Sequence, residues 1–281
     1  MLTTRRLVAA AALVLQVASA GCAAVMARQE FQASEFGLAY LVPQSRAELP
    51  TLAARALQAE LAALDRSMGR VEVAAKAAGG AQTARVRAQA ASVRAQLDGG
   101  FRARLAAKMG QGGTPIADRI MAHARLGSLG YAPIPRAPGD DAESKAANAV
   151  IGEADLALRA AEKAAALGEM ARTMAGMAGA DLIDAQDTQE AGATAVAAYA
   201  AIAGARLSLD ALAEVATAEA KLAAAERRLI AAAANPVVAM RTGIAAGRVA
   251  GAHDRVAAVR REAPAYLEAA AKVLAAARAI K

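Results

Sequence analysis

Residues 187–236 read DTQEAGATAVAAYAAIAGARLSLDALAEVATAEAKLAAAERRLIAAAANP. Asp187-Thr188-Gln189-Glu190 has the form of a capping box, in which a side chain at the helix start and an acid three residues on satisfy the first free N–H groups. The spacing predicts one helix from there to Ala234, roughly 70 Å long at about 1.5 Å per residue. Asn235-Pro236 then stops it and opens the next helix, since Asn is a strong N-cap and proline suits the first helical position. A rod of that length has to lie beside others of its kind, and the rest of the chain supplies them.

Alanine makes up about a third of the sequence, far above its usual share. Aromatic residues are 2% and tryptophan is absent. Alanine is the best helix former, so the expected fold class is all-α. Alanine-lined helices approach closely but bury little area each, so stability has to come from long, repeated contacts. The expected architecture is an elongated antiparallel helical bundle with coiled-coil hairpins.

Working backwards, Ala142 to Ala178 predicts another long helix, with Leu167, Met170, Met174 and Met177 as core filler. Gly179 to Asp187 reads as a turn. Leu126 to Asp141 reads as a Pro/Gly linker and internal boundary, with Pro133, Pro135, Pro138, Gly127, Gly130, Gly139 and Asp140. Thr114 and Pro115 open a short helix to about Arg125. Ala54, Leu57, Leu61, Leu64, Met68, Val71, Ala75 and Ala78 alternate steps of three and four, a coiled-coil seam ended by Gly79-Gly80. Gln82 to Met109 continues the seam through Val86, Ala90, Val93 and Leu97, weakened at Gly99-Gly100. The expected organisation is 1–21 leader, 22–50 N-terminal mature segment, 51–125 helical hairpin plus short helix, 126–141 linker and 142–281 long-helix bundle. Phe31, Phe36 and Tyr40 in the second segment predict a short helix tucked onto the bundle.

Charge is segregated. Residues 23–142 hold 15 Lys+Arg against 10 Asp+Glu, 143–226 hold 6 against 13, and 227–281 hold 10 against 3. An acidic middle beside a basic C-terminal helix predicts pairing inside one bundle, with charge setting partner and orientation. The sharper reading is a basic end that meets an anionic partner.

The last helix, from Pro236 toward Lys281 with a break or kink at Pro264, carries the sharpest pattern. Gly243, Gly247 and Gly251 stand four apart, a smooth stripe on which another helix can approach closely. It resembles the glycine zippers of membrane and oligomeric helices. Arg241, Arg248 and Arg255 stand seven apart and form a basic stripe turned away from the glycines. The spacing leaves open whether the glycine contact is within the chain or between chains.

The leader TTRRLVAAAALVLQVASAGC (residues 3–22) has two arginines, an apolar core from Leu7 to Val17 and the small-residue run Ala18-Ser19-Ala20, the pattern of a signal peptide. Ala20-Gly21-Cys22 resembles the end of the bacterial lipoprotein box, with Ser19 where an aliphatic residue is usual. That resemblance implies lipidation of Cys22, the only cysteine, and, with Ala23 following it, outer-membrane delivery. The alternative is cleavage after Ala20 and a free thiol.

Enzymatic motifs are not found. His123 and His253 belong to no zinc or di-iron spacing. Asp181, Asp184, Asp187 and Glu190 recur every third residue, whereas a calcium loop uses tighter alternation with a glycine at its sixth position. Capping and solvation account for them better. No cofactor is expected. Export and the lack of an aromatic platform argue against nucleic acid as partner. The expected function is that of a non-enzymatic, lipid-anchored cell-envelope protein with a structural or assembly role, its partners envelope proteins or a second copy of itself. Exported helical subunits of type IV secretion machines have a comparable architecture, an analogy of fold alone. The alternatives are a membrane-active or oligomerising protein that uses the Gly243–Gly251 helix, and a bundle that binds an apolar ligand.

Overall fold

The computed structural model describes residues 46–279, apart from 112, 125–130 and 189–190. The leader, Cys22, the aromatic N-terminal segment and part of the capping box at 187–190 lie outside the described residues. Those described form eight α-helices and no strand. They are α1 (Leu49–Gly69), α2 (Val71–Ala77), α3 (Gly80–Gln96), α4 (Gly99–Gln111), α5 (Gly113–Ala124), α6 (Ala142–Thr188), α7 (Ala191–Ala232) and α8 (Pro236–Ala279).

Helix α7 is the axis of the molecule. Residues 192–209 are buried without a gap, so this half of the helix is enclosed on every side. A helix apolar all round belongs in a core, and this one would also pass a membrane-span test by length and hydropathy, with 94% of its apolar window buried. Beyond Val215 burial narrows to a stripe of Ala218, Leu222 and Ala225, the spacing of a coiled-coil seam. Helices α6 and α8 flank α7 along its length. Lys163 meets Glu214 at 2.9 Å while Glu153 meets Arg228, and Arg260 meets Glu219 at 3.1 Å while His253 faces Glu226, so both neighbours run antiparallel to it.

The N-terminal helices wrap one end of this three-helix unit. Helix α1 buries Leu52, Ala56, Leu57, Leu64 and Met68, and α2 packs on α7 while α3 packs on α8. Gly79, at φ 89°, makes the turn between α2 and α3, where Thr83 donates its hydroxyl to the Ala75 carbonyl at 2.8 Å. All four seam positions of α3, Val86, Ala90, Val93 and Leu97, are buried. The expected helix over 82–109 divides at Asp98, whose carboxylate accepts the Phe101 N–H at 2.7 Å and so caps α4. The seam over 54–78 divides at Arg70.

Two expectations change more. The turn expected at Gly179 to Asp187 is helical, because Ala178, Asp181 and Ala185 prolong the buried face of α6. The stretch 131–141 is not a free linker. It is an extended strap fastened to α6 and α8, and the helices on either side of it share one core. Ile134 is buried, and its N–H donates to Asp155 at 2.9 Å. Asn148 receives the Ala137 N–H at 2.8 Å and returns its own amide to the Ala137 carbonyl at 3.1 Å. Asp141 caps α6 by accepting the Ser144 N–H at 2.7 Å. Asn235 caps α8 as expected, accepting the Val237 N–H at 2.9 Å, and α8 runs unbroken through Pro264, held by buried Ala263 and Leu267.

A buried polar network locks α1 to α7. Arg206, 5% exposed, donates through Nε and Nη2 to the two oxygens of Glu60, 4% exposed, at 2.6 and 3.2 Å. Asp210 takes the Ser67 hydroxyl at 2.6 Å and an Arg70 N–H at 2.5 Å. Burial works against the Arg206 charge, and Glu60 outweighs it, holding its pKa above the ordinary value. Arg206 also meets Asp210 at 3.3 Å, so removing Glu60 leaves the buried charge only partly compensated, at a cost of about 3 kcal/mol, the lower end for a broken buried pair. Glu60→Ala should therefore lower unfolding free energy by about that amount in urea titrations. Replacing both Glu60 and Arg206 with apolar residues of similar volume should recover most of the loss.

Candidate functional site

Helix α8 presents three faces of different chemistry. Its inward face is a seam of Val238, Thr242, Ala245, Val249, Ala252, Val256, Val259, Ala263 and Leu267, all buried, in steps of three and four. This seam meets α6 and α7.

The basic stripe lies on one flank and is taken up within the chain. Arg241 donates to Asp141 at 2.6 Å and to the Ser144 hydroxyl at 2.7 Å. Arg248 donates to the Ala132 carbonyl at 2.6 Å, and its guanidinium lies over the Tyr131 ring, which Arg159 also approaches. Arg255 pairs with Glu162 at 2.7 Å. Arg241 holds the Asp141 carboxyl well below the usual range. The Tyr131 phenol, which donates to Asp155, is pushed up by burial and by that carboxylate. Two of the three arginines thus meet acids and the third holds the strap. Arg260 with Glu219 extends the same pairing of acidic middle and basic C-terminal helix, and Arg228 near the end of α7 meets Glu153 of α6.

The outward face is the one that the chain leaves uncovered. A Cβ built at Gly243 or Gly247 meets nothing within 4 Å, and at Gly251 it meets only the Arg255 guanidinium at 3.7 Å. The glycine stripe does not pack within the bundle. On the same side, Met240 is 76% and Ile244 62% exposed. Four of the seven large hydrophobic side chains that are exposed among the described residues, Ile230, Val237, Met240 and Ile244, fall in this short span. The face is uncharged from Pro236 until Asp254.

Close packing inside the chain uses other glycines, which the spacing did not single out. A Cβ at Gly168 of α6 would stand 3.0 Å from a Val259 methyl carbon of α8, and one at Gly204 of α7 would stand 3.4 Å from the Met174 Cβ. These isolated glycines belong to no periodic motif, so no sequence signal marks them.

Asp181 and Asp184 both receive Arg119, at 2.9 Å for Asp184, so these two of the every-third-residue acids serve as an interhelical clamp between α5 and α6. Buried His123 faces Asp181, its Nε2 3.5 Å from the carboxylate, while Nδ1 has no hydrogen-bond partner. Burial holds its pKa below the ordinary 6.5, opposed by Asp181 and aided by Arg119. His253 is half-buried beside Glu226. Among the described residues no group of three or more His, Cys, Asp or Glu could hold a metal ion. Tyr199 is fully buried, with an unpartnered hydroxyl near the Glu60–Arg206 pair.

No family model matches this chain, and neither a curated protein nor a solved structure matches it.

The two kinds of glycine should respond oppositely to substitution. Gly168→Ala overpacks the contact between α6 and α8 and should destabilise by about 1–3 kcal/mol. Gly247→Ala, pointing into open space, should stabilise the chain by up to about 1 kcal/mol through helix propensity. Thermal unfolding of the two variants side by side reads the signs. His123 gives a pH dependence. Its folded pKa lies below the unfolded value, so its contribution is complete above pH 6.5 and is lost as pH falls through 6.5 toward the folded pKa. Stability from denaturant titrations should fall across that window, and the slope should flatten in His123→Leu.

Proposed function

We propose that this chain is an exported, lipid-anchored, non-enzymatic protein of the cell envelope that works as a structural or assembly element through helix–helix contact. The observation that carries this is the outward face of α8. A long helix keeps Gly243, Gly247 and exposed Met240 and Ile244 on one uncharged side that nothing in the described chain covers. Apolar area of that kind on a rigid helix is the chemistry of a docking surface. The address rests on residues 3–22 and on the resemblance of Ala20-Gly21-Cys22 to a lipoprotein box.

The geometry supports a division of labour along the molecule. Helices α1 and α7 run side by side in the same direction, as the Glu60–Arg206 and Ser67–Asp210 contacts require. The start of α1 therefore lies toward the beginning of α7, and the α7–α8 turn at Asn235 lies at the other end. The apolar face of α8, which begins beside Asn235, therefore lies away from the end that the N-terminal helices wrap.

Intact-mass analysis of the native protein should give a chain beginning at Cys22 with a diacylglyceryl addition. A chain beginning at Gly21 would remove the anchor. Pull-down from detergent-solubilised envelopes should retain a specific helical partner with the wild-type chain and lose it with Gly247→Leu. Liposomes mixed with the purified mature chain should not leak, and leakage abolished by the same variant would replace this reading with a membrane-active one.

A further inference from the structure

We infer that the outward face of α8 binds the same face of a second copy of this chain, as an antiparallel pair with its two-fold axis between Ala245 and Ala246. This rests on the reading of that face as a helix-docking surface and names its partner.

The argument is one of self-complementarity. A two-fold antiparallel pair matches each residue with the one equally far on the other side of the axis. Met240 and Gly251 stand equally far from the midpoint between Ala245 and Ala246, and so do Ile244 and Gly247. Met240 and Ile244 each fall on a glycine of the partner, and Gly251 and Gly247 each receive one of them in return, while Gly243 falls opposite Arg248 at the edge of the face. Gly247 has open space where its Cβ would stand, and at Gly251 the nearest group is the Arg255 guanidinium, 3.7 Å away and held to Glu162. A parallel pair would set Met240 against Met240 and Gly247 against Gly247, knob on knob and hole on hole.

Charge agrees with the same axis. Asp254 is exposed and forms no ion pair among the described residues. In the antiparallel pair it falls opposite Val237, in the first turn of the partner's α8, where the helix dipole favours a negative charge. Arg241, Arg248 and Arg255 would meet their own copies along one flank. Asp141, the Ala132 carbonyl with Tyr131, and Glu162 hold them back to the bundle. The opposite flank carries Ala239, Ala246, Ala250 and Ala257, small enough for the backbones to come close, with His253 among them turned to Glu226.

The test uses the full chain with Cys22→Ser, which removes both lipidation and the native thiol. Sedimentation velocity at tens of micromolar should give a species of twice 28.3 kDa. Gly247→Leu and Ile244→Ser should each weaken self-association on the order of tenfold or more. Thermal stability of the Gly247→Leu monomer should be unchanged or raised, so that loss of the pair is separated from loss of the fold. Orientation is read by mixing a Met240→Cys chain with a Gly251→Cys chain. Disulfide heterodimers should form readily, and Met240→Cys alone should not cross-link.

A chain that stays monomeric at every concentration overturns the inference, as does cross-linking of Met240→Cys with itself. If a monomeric chain still captures an envelope protein in a Gly247-dependent way, the docking surface stands and the second copy is the wrong occupant. Gly247-dependent co-sedimentation with vesicles of phosphatidylethanolamine and phosphatidylglycerol would overturn both.

Discussion

A buried alanine removes little more than one methyl group from water, about 0.8 kcal/mol by area bookkeeping, where a buried leucine contributes about 1.5–3 kcal/mol. This limit governs the whole structure. A core built on alanine reaches adequate stability only by repeating a small gain many times along a straight contact. The three principal helices have 47, 42 and 44 residues, some fourfold the length of an average helix of about 11–12. Their similar lengths let each lie on the other two from end to end. The same limit explains why residues 192–209 are enclosed on all sides. A helix of small side chains contributes most when every face is used, and only wrapping by α1 and α2 in addition to α6 and α8 uses them all.

Small side chains create a second difficulty, which is register. One alanine seam fits another almost as well after a slip of a turn or a heptad, because there are few large knobs to misplace. Polar groups remove that degeneracy. Arg206 and Glu60 are both buried, so a slip that separated them would strand two charges away from water. The exposed pairs act more gently. Arg255 with Glu162 and Arg260 with Glu219 are each worth about 0–1 kcal/mol, too little to hold the bundle. Together they favour one neighbour and one orientation, which is the role that the segregation of acidic and basic segments implies.

Much of this was legible in the sequence, and the boundary of legibility has a physical form. Helical content follows from alanine's propensity, and the cap at Asn235 follows from local chemistry, so they were readable, whereas the short helix expected to open at Thr114 begins at Gly113. The seam of α3 was readable because Val86, Val93 and Leu97 stand out against smaller neighbours. Glu60 and Ser67 were not, although they share the buried face of α1, because a charged residue at a seam position reads as a flank until its partner 146 residues away is known. The strap at 131–141 has the composition of a linker. What makes it part of the fold is the Asn148 amide and the Asp155 carboxylate, each of which looks like an ordinary polar residue of a helix. The glycine stripe of α8 was legible as a pattern, but its direction was not. A repeat of four says that a face is smooth and leaves its orientation to the rest of the chain.

Direction is what gives those glycines their meaning. Each glycine inside a helix costs up to about 1 kcal/mol relative to alanine. In a chain with alanine at about a third of its positions, an exposed helical surface is made of alanine by default. Gly168 and Gly204 illustrate a use that offsets the cost, since a neighbouring side chain occupies the space that a Cβ would fill. Gly243 and Gly247 carry the same cost with no such neighbour within the described chain. Met240 and Ile244 add the expense of large apolar groups left in water on that face. Both costs have the same sign, and both are relieved by one event, the arrival of another helix whose bulk matches the holes and whose holes match the bulk. The inward seam of α8 is complete and its basic flank is occupied, which leaves this face as the part of the helix whose composition the bundle alone does not explain.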